Sequence, residues 1–341
     1  MFRSRKTTPL LLAALVAGAG FAVSARADDA PQYKLIKEIT IGGGGSWDYL
    51  KAEPETHRLF VSHQTKIEVI DTETGKVVGS ILDTPGVHGF APVPSLKKGF
   101  SSNGQENKVS VVDLDTLKTT EKIATGGNPD AIFYDPKSGE VWTCNGRTND
   151  ITAIDAKTSK VLVASIPVGG RPETGVADSE AGTFLVNLED KNEVGVIDIK
   201  THKLTARWPI APGTGATGMV IDPVLHRIIL GCANSKMVMM DSASGKVVAT
   251  LDCGQGVDAA AFDPETHLAF ASAGGSGNVT IAKVEADNLT LVQTLTTERG
   301  AKTMTLDTKT HRIYLSNAKS KTDTTSFKVL EYGLPETAAK P

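Results

Sequence analysis

The ionisable residues with the most chemical promise lie far apart in this sequence but at a common spacing. Asp48, His88, Asp130, Glu173, Thr217, Asp258 and Lys302 follow one another at intervals of 40 to 44 residues, and Arg171 stands two positions before Glu173. Gathered in one place, four carboxylates, an imidazole, an ammonium and a guanidinium would shift one another's pKa values and suit a zwitterionic or anionic ligand. The same groups could equally line a solvated opening, paired internally. They form no compact oxygen-ligand loop for Ca²⁺, and no His/Cys/Asp/Glu set stands at metal-binding spacing. No G-x-S-x-G elbow occurs either, so no catalytic residue, metal ligand or cofactor is assigned. A second polar set, His63, Asn103, Asn145, Arg147 and Asn317, falls at or just after the ends of strands in the same repeat.

Only a repeat can bring such distant positions together, and one is present. A strand-like unit recurs as KIEVID (Lys66–Asp71), KVSVVD (Lys108–Asp113), DITAID (Asp150–Asp155), EVGVID (Glu193–Asp198) and KMVMMD (Lys236–Asp241). The closing aspartates are 42, 42, 43 and 43 residues apart, and two looser copies, Asn278–Lys283 and Ser326–Glu331, make seven. Self-similarity at this period marks propeller blades or stacked solenoid units. In the aligned copies Ile67, Val109, Ile151 and Val194 are apolar, as are Val69, Val111, Ala153 and Val196 two positions on. Mostly polar or small residues lie between, which is strand periodicity. The next column (Ile70, Val112, Ile154, Ile197) is apolar too, so both faces of the strand are expected to be covered.

Two turn signals frame each unit. Asp135-Pro136, Asp222-Pro223 and Asp263-Pro264, with Asp178-Ser179 and Asp307-Thr308 in the same place, suit type I turns. After the repeat aspartate come stretches such as DTETGK (Asp71–Lys76) and DAKTSK (Asp155–Lys160), whose Asp and Thr side chains can bond the amides of a tight hairpin. Two hairpins per unit give four antiparallel strands. The prediction is an all-β, seven-bladed β-propeller. Its last copy stops after the third strand, whereas KLIKEITI (residues 34–41) reads as a fourth strand without a blade. That strand is predicted to complete the last blade and close the ring. In a closed ring, the loops leading into the innermost strands surround one mouth of the channel, and the first charged set ends those loops.

The second strands end in FVSH (Phe60–His63), FSSN (Phe100–Asn103), WTCN (Trp142–Asn145) and YLSN (Tyr314–Asn317), each followed by the VSVVD-like strand. Together these resemble the Y-V-T-N…V-S-V-I-D pattern of YVTN-repeat, YncE-like propellers over residues 34–331. The match is weakest in blades 4 to 6, where Leu188, Cys232 and Ala273 replace the Asn. The resemblance implies an exported propeller with no catalytic set to carry over. Related propellers serve as non-catalytic partners of periplasmic redox enzymes.

Export is also read from the residues themselves. Arg3, Arg5 and Lys6 precede an apolar run from Leu10 to about Val23, and Ala25-Arg26-Ala27 is an A-x-A cleavage site. Residues 1–27 are therefore predicted to be a cleaved signal peptide. Residues 28–341 form one propeller domain, with a short tail from about 333, and a soluble periplasmic protein follows. Cleavage removes four basic residues and no acid, leaving 32 basic against 39 acidic residues, a formal charge of about −7. Net acidity and only 18 aromatic residues weigh against nucleic acid as a partner. Three cysteines, Cys144, Cys232 and Cys253, cannot all pair within the chain. Buried thiols are expected, with a Cys232–Cys253 bridge left open.

The functional expectation is a non-catalytic scaffold that binds a small ligand, a peptide or a periplasmic protein through its channel-mouth face. Three alternatives stand beside it: an accessory subunit of a periplasmic redox enzyme, a lactonase-like metal-dependent hydrolase, and a single-stranded DNA binder.

Overall fold

The computed structural model describes residues 1–2 and 32–335. Residues 3–31, which hold almost all of the predicted signal peptide, and residues 336–341 lie outside the described residues. Residues from Gln32 onward belong to one compact unit. Seven sheets of four antiparallel strands follow one another, and in six of them the strands pair in chain order. The innermost strands are Trp47–Glu53 in blade 1, Val87–Val93 in blade 2, Pro129–Asp135 in blade 3 and Pro172–Asp178 in blade 4. Ala216–Asp222, Val257–Asp263 and Met304–Asp307 are those of blades 5, 6 and 7. Blade 7 is the exception in its order. Its outermost strand is Lys34–Thr40, from the opposite end of the chain, paired antiparallel with Lys328–Gly333 so that Ile39 faces Val329 and Thr40 faces Lys328. The ring is closed as the orphan strand predicts.

The alternation read in the repeat sorts side chains onto the two faces of each blade. Ile67 and Val69 of blade 1 pack with Val87, Phe90 and Val112 of blade 2, whereas Ile70 turns the other way, onto Tyr314 and Val329 of blade 7. Every interface between neighbouring blades is filled in this manner. Between blades 3 and 4, for example, Trp142 stacks on Phe184 with ring centroids 4.8 Å apart. Ile39, 3% exposed, belongs to the apolar cluster between blades 7 and 1. The closing strand thus buries area as well as completing a ladder, at a gain of order 25 cal/mol per Å² of apolar surface.

Both turn signals behave as the residue types require. The repeat aspartates cap the outer hairpins: Asp155 Oδ1 accepts from the amide and hydroxyl of Thr158 at 2.6 and 2.7 Å, and Asp71, Asp113, Asp198 and Asp241 do the same. These bonds hold the Asp155 carboxyl below its ordinary pKa. The inner-turn aspartates are buried and accept from their own turns, as Asp222 does from the amides of Val224 and Leu225. They also reach the next blade. Ser179 bonds Asp135, Ser242 bonds Asp178, His267 bonds Asp222 and His311 bonds Asp263. Four successive blade pairs are therefore tied by one side-chain bond on the face opposite the mouth. The three cysteines are free thiols, two of them buried.

Two outcomes follow. Removing residues 28–41 strips the outer strand from blade 7 and should lower the thermal midpoint by more than about 10 °C, since each kcal/mol lost is worth a few degrees. An unchanged midpoint would contradict closure by this strand. Asp155→Ala should cost about 1 kcal/mol in urea unfolding, the usual loss for a local side-chain cap. It should leave mouth binding unaltered, because these hairpins lie away from it.

Candidate functional site at the channel mouth

The backbone places the charged set by repeating one local device. Two residues before the charged position the chain takes a positive φ, at Gly86 (64°), Asn128 (53°), Gly215 (60°), Gly256 (69°) and Gly300 (91°). Glycine and asparagine tolerate this left-handed turn far better than other residues. In blades 2 to 6 the carbonyl at that position accepts an amide from the hairpin between the second and third strands. Gly104 to Gly86, Gly146 to Asn128 and Gly274 to Gly256 are examples, at 2.9 to 3.0 Å. Each loop is thus stitched to its own blade, and the residue two places on points at the opening.

Six of the charged residues meet there. His88 Nδ1 lies 2.7 Å from Asp48 Oδ2 and 3.5 Å from Asp130 Oδ1, so residues of blades 1, 2 and 3 touch. Lys302 Nζ of blade 7 donates to Asp258 of blade 6 at 2.6 Å and lies 3.9 Å from Asp48. Glu173 of blade 4 accepts from the hydroxyl of Tyr49 at 3.4 Å, across the opening from blade 1. Blade 5 contributes no charge; Thr217 is buried and its hydroxyl donates to the Val257 carbonyl.

Crowding sets the protonation of this ring. Burial works against a charged His88, but the Asp48 hydrogen bond and the Asp130 charge outweigh it and raise its pKa to about 9. Burial, followed by the charges of Asp130, Glu189, Asp258 and Asp48, raises Glu173 to about 9. Asp130 rises to about 6, because burial and two like charges exceed the help from His88. Lys302 is raised too, its neighbouring aspartates overcoming the cost of burial. At neutral pH Glu173 is then neutral, and three aspartates face two cations. The ring has room for one more positive charge. Asp48, His88 and Asp130 each offer one ligand atom within 4.8 Å of the others, a set able to hold a divalent cation once His88 gives up its proton.

Other expected residues lie elsewhere. Arg171 is at the rim, where it pairs with Glu189 and its amide bonds Asp190. The second polar set does not converge. Asn103 is fully buried and donates to Ser110 and Glu106 of its own blade, and Asn145 to Thr152 and Asp150. His63 stacks on Phe327 and contacts Glu68, while Asn317 bonds Glu298 and the Arg299 carbonyl. Arg147 alone among them is exposed. In blades 2 and 3 the Asn of the repeat is thus a staple to the polar residue of the following strand. Where it becomes Leu188 or Cys232, the partner position becomes Gly195 or Val238. Tyr49 is the mouth residue that sequence reasoning passed over, because its column is otherwise small; its single aromatic ring among Gly, Ala and Thr was the available signal.

No protein-family model matches the chain, and no curated protein does. Among solved structures it is similar to a chain of the hydrazine synthase of Kuenenia stuttgartiensis, at a TM-score of 0.71 and 19% identity, covering 83% of this chain and 94% of that one. U3-55K superposes at a TM-score of 0.74 with 10% identity, covering 88% and 99%. The WD40 repeats of RRP9 give 0.74 and 10%, covering 89% and 99%. Likeness at these identities establishes the propeller fold.

The ring makes a signed statement about pH. The folded-state pKa of Glu173, about 9, lies above its ordinary 4.5. The folded chain therefore holds a proton that the unfolded chain releases, and stability falls as pH rises from about 4.5 to about 9. Glu173→Gln removes that dependence. Its thermal midpoint should match the parent's below pH 5 and exceed it at pH 9, a difference that scanning calorimetry at the two values will read.

Proposed function

We propose that the chain is an exported, periplasmic propeller of the YVTN-repeat, YncE-like kind. It acts without catalysis, as a scaffold whose channel mouth holds a positively charged group of a small ligand or partner protein. The observation that carries this reading is the charge imbalance of the opening. Six blades deliver four carboxylates to it but only two cations, His88 and Lys302. Burial, together with the surrounding carboxylates, keeps Glu173 protonated, and a bound cation would relieve the second of these. The nearest thiol is Cys144, which is fully buried and whose pKa is pushed up by burial and by Asp130 and Glu173, so it supplies no nucleophile. A rigid ring carrying its polar residues on stitched loops is the arrangement of a binding platform. The leader read in residues 1–27 and the absence, among described residues, of any helix long and apolar enough to cross a membrane are compatible with export.

Isothermal titration with Ca²⁺, Zn²⁺ and putrescine tests the proposal. The parent should bind at least one of the three. Asp130→Ala combined with Asp258→Ala should weaken that binding at least tenfold with little change in thermal midpoint, because these carboxylates sit at loop ends, outside the apolar clusters between the blades, and carry little packing energy. If none of the three binds, or if the double variant binds as well as the parent, the mouth is a solvated lining and the proposal fails.

A further inference from the structure

Behind the charged ring the channel widens into a cavity of about 560 Å³, lined by the inner strands of all seven blades. Phe133, Val176, Val220, Ala260 and Phe262 give its wall an apolar stretch, set among hydroxyl-bearing residues such as Tyr49, Tyr134 and Thr305. Lys51 stands in this wall and is the one basic residue there. It lies on the same strand as Tyr49, two residues further from the mouth, which is about 7 Å of extended chain. Its side chain is open to the cavity, and its ammonium has no hydrogen bond or ion pair with any described residue. The nearest acid along the strand, Glu53, is engaged with its own turn, accepting from the amides of Glu55 and Thr56. The one acid lining the cavity, Asp135, is buried and spent on Ser179 and the amides of its turn.

A lone ammonium among aromatic and aliphatic side chains carries a cost. The enclosing protein lowers the Lys51 pKa, and the charge of Glu53 only partly opposes this. An anion brought beside the amine would offset that cost, and the stretch of Phe133, Val176, Val220 and Phe262 suits an apolar body. The volume lies within the range of about 300–1,000 Å³ typical of small-molecule sites, which combine apolar side chains with a few orienting polar groups.

We propose that the channel is a second binding site, distinct from the mouth, for a slender apolar molecule ending in a carboxylate. The carboxylate pairs with the Lys51 ammonium just below Tyr49, and the apolar body lies along Phe133, Val176, Val220 and Phe262. The site needs nothing from the carboxylates of the ring, so it stands or falls apart from the cationic site proposed there. Its far end is bounded by Pro136, Ser179 and Thr308, on the turns of the opposite face.

Octanoate and octan-1-ol share a chain and differ in head group, so a pair of calorimetric titrations on the full chain reads the role of the amine directly. The parent should bind octanoate at least tenfold more tightly than octan-1-ol. Lys51→Met, close to Lys in shape and without charge, should abolish that preference while leaving octan-1-ol affinity within about twofold. Absence of octanoate binding by the parent, no preference over the alcohol, or a preference that survives in Lys51→Met would each overturn the proposal. Should Lys51→Met fail to fold, the preference of the parent decides alone.

Discussion

The pairing of Lys34–Thr40 with Lys328–Gly333 is the constraint on which the rest of the molecule depends. A propeller blade is hydrophobic on both faces and cannot bury either by itself, so each needs two neighbours. Six blades obtain their four strands from consecutive sequence. Only the seventh must wait for the other end of the chain. Once it is complete, Ile39 joins the cluster of Leu50, Val61 and Tyr314, and the apolar faces of blades 7 and 1 cover each other. Closure also fixes the radius at which the inner strands stand, and with it the distance across the mouth.

The chemistry of the mouth is a consequence of that radius. Residues some 40 positions apart are brought into contact because each occupies the same place on a stitched loop, and the ring leaves them no room to separate. Unlike charges then pair, as Asp48 with His88 and Asp258 with Lys302. Glu173, buried among like charges, keeps its proton. Such a site is costly to maintain and gains from any ligand that supplies the missing charge. The channel below it has the opposite imbalance, one amine and an apolar stretch of wall. Together they give one passage two ends of different chemistry.

Much of this was legible in the sequence for a physical reason: a repeat multiplies weak signals. A single V-S-V-V-D stretch says little, but seven spaced alike specify the blades, and the missing last strand identifies its substitute at the other terminus. The convergence of Asp48, His88, Asp130, Glu173, Asp258 and Lys302 was legible for the same reason, since identical columns of a ring must meet. Arg171 was not placed correctly by column alone, because it sits off the ring position and finds Glu189 at the rim. The asparagines of the second set look like exposed loop residues in sequence. Their burial depends on which residue stands across the hairpin, Ser110 for Asn103 and Thr152 for Asn145, a pairing that register decides. Lys51 escaped notice because a lysine in an alternating strand reads as a solvated position. Only the closed channel shows that its solvent-facing side is the interior of a cavity.

The most direct test of the convergence is the titration of His88 by nuclear magnetic resonance, with its ring signals assigned from a His88→Gln difference spectrum. If closure holds the imidazole between Asp48 and Asp130, His88 should titrate near pH 9, against an ordinary 6.5, and fall back towards that value in Asp48→Asn. An ordinary value in the parent, unmoved by the substitution, would mean that blades 1, 2 and 3 do not meet at the mouth in this way.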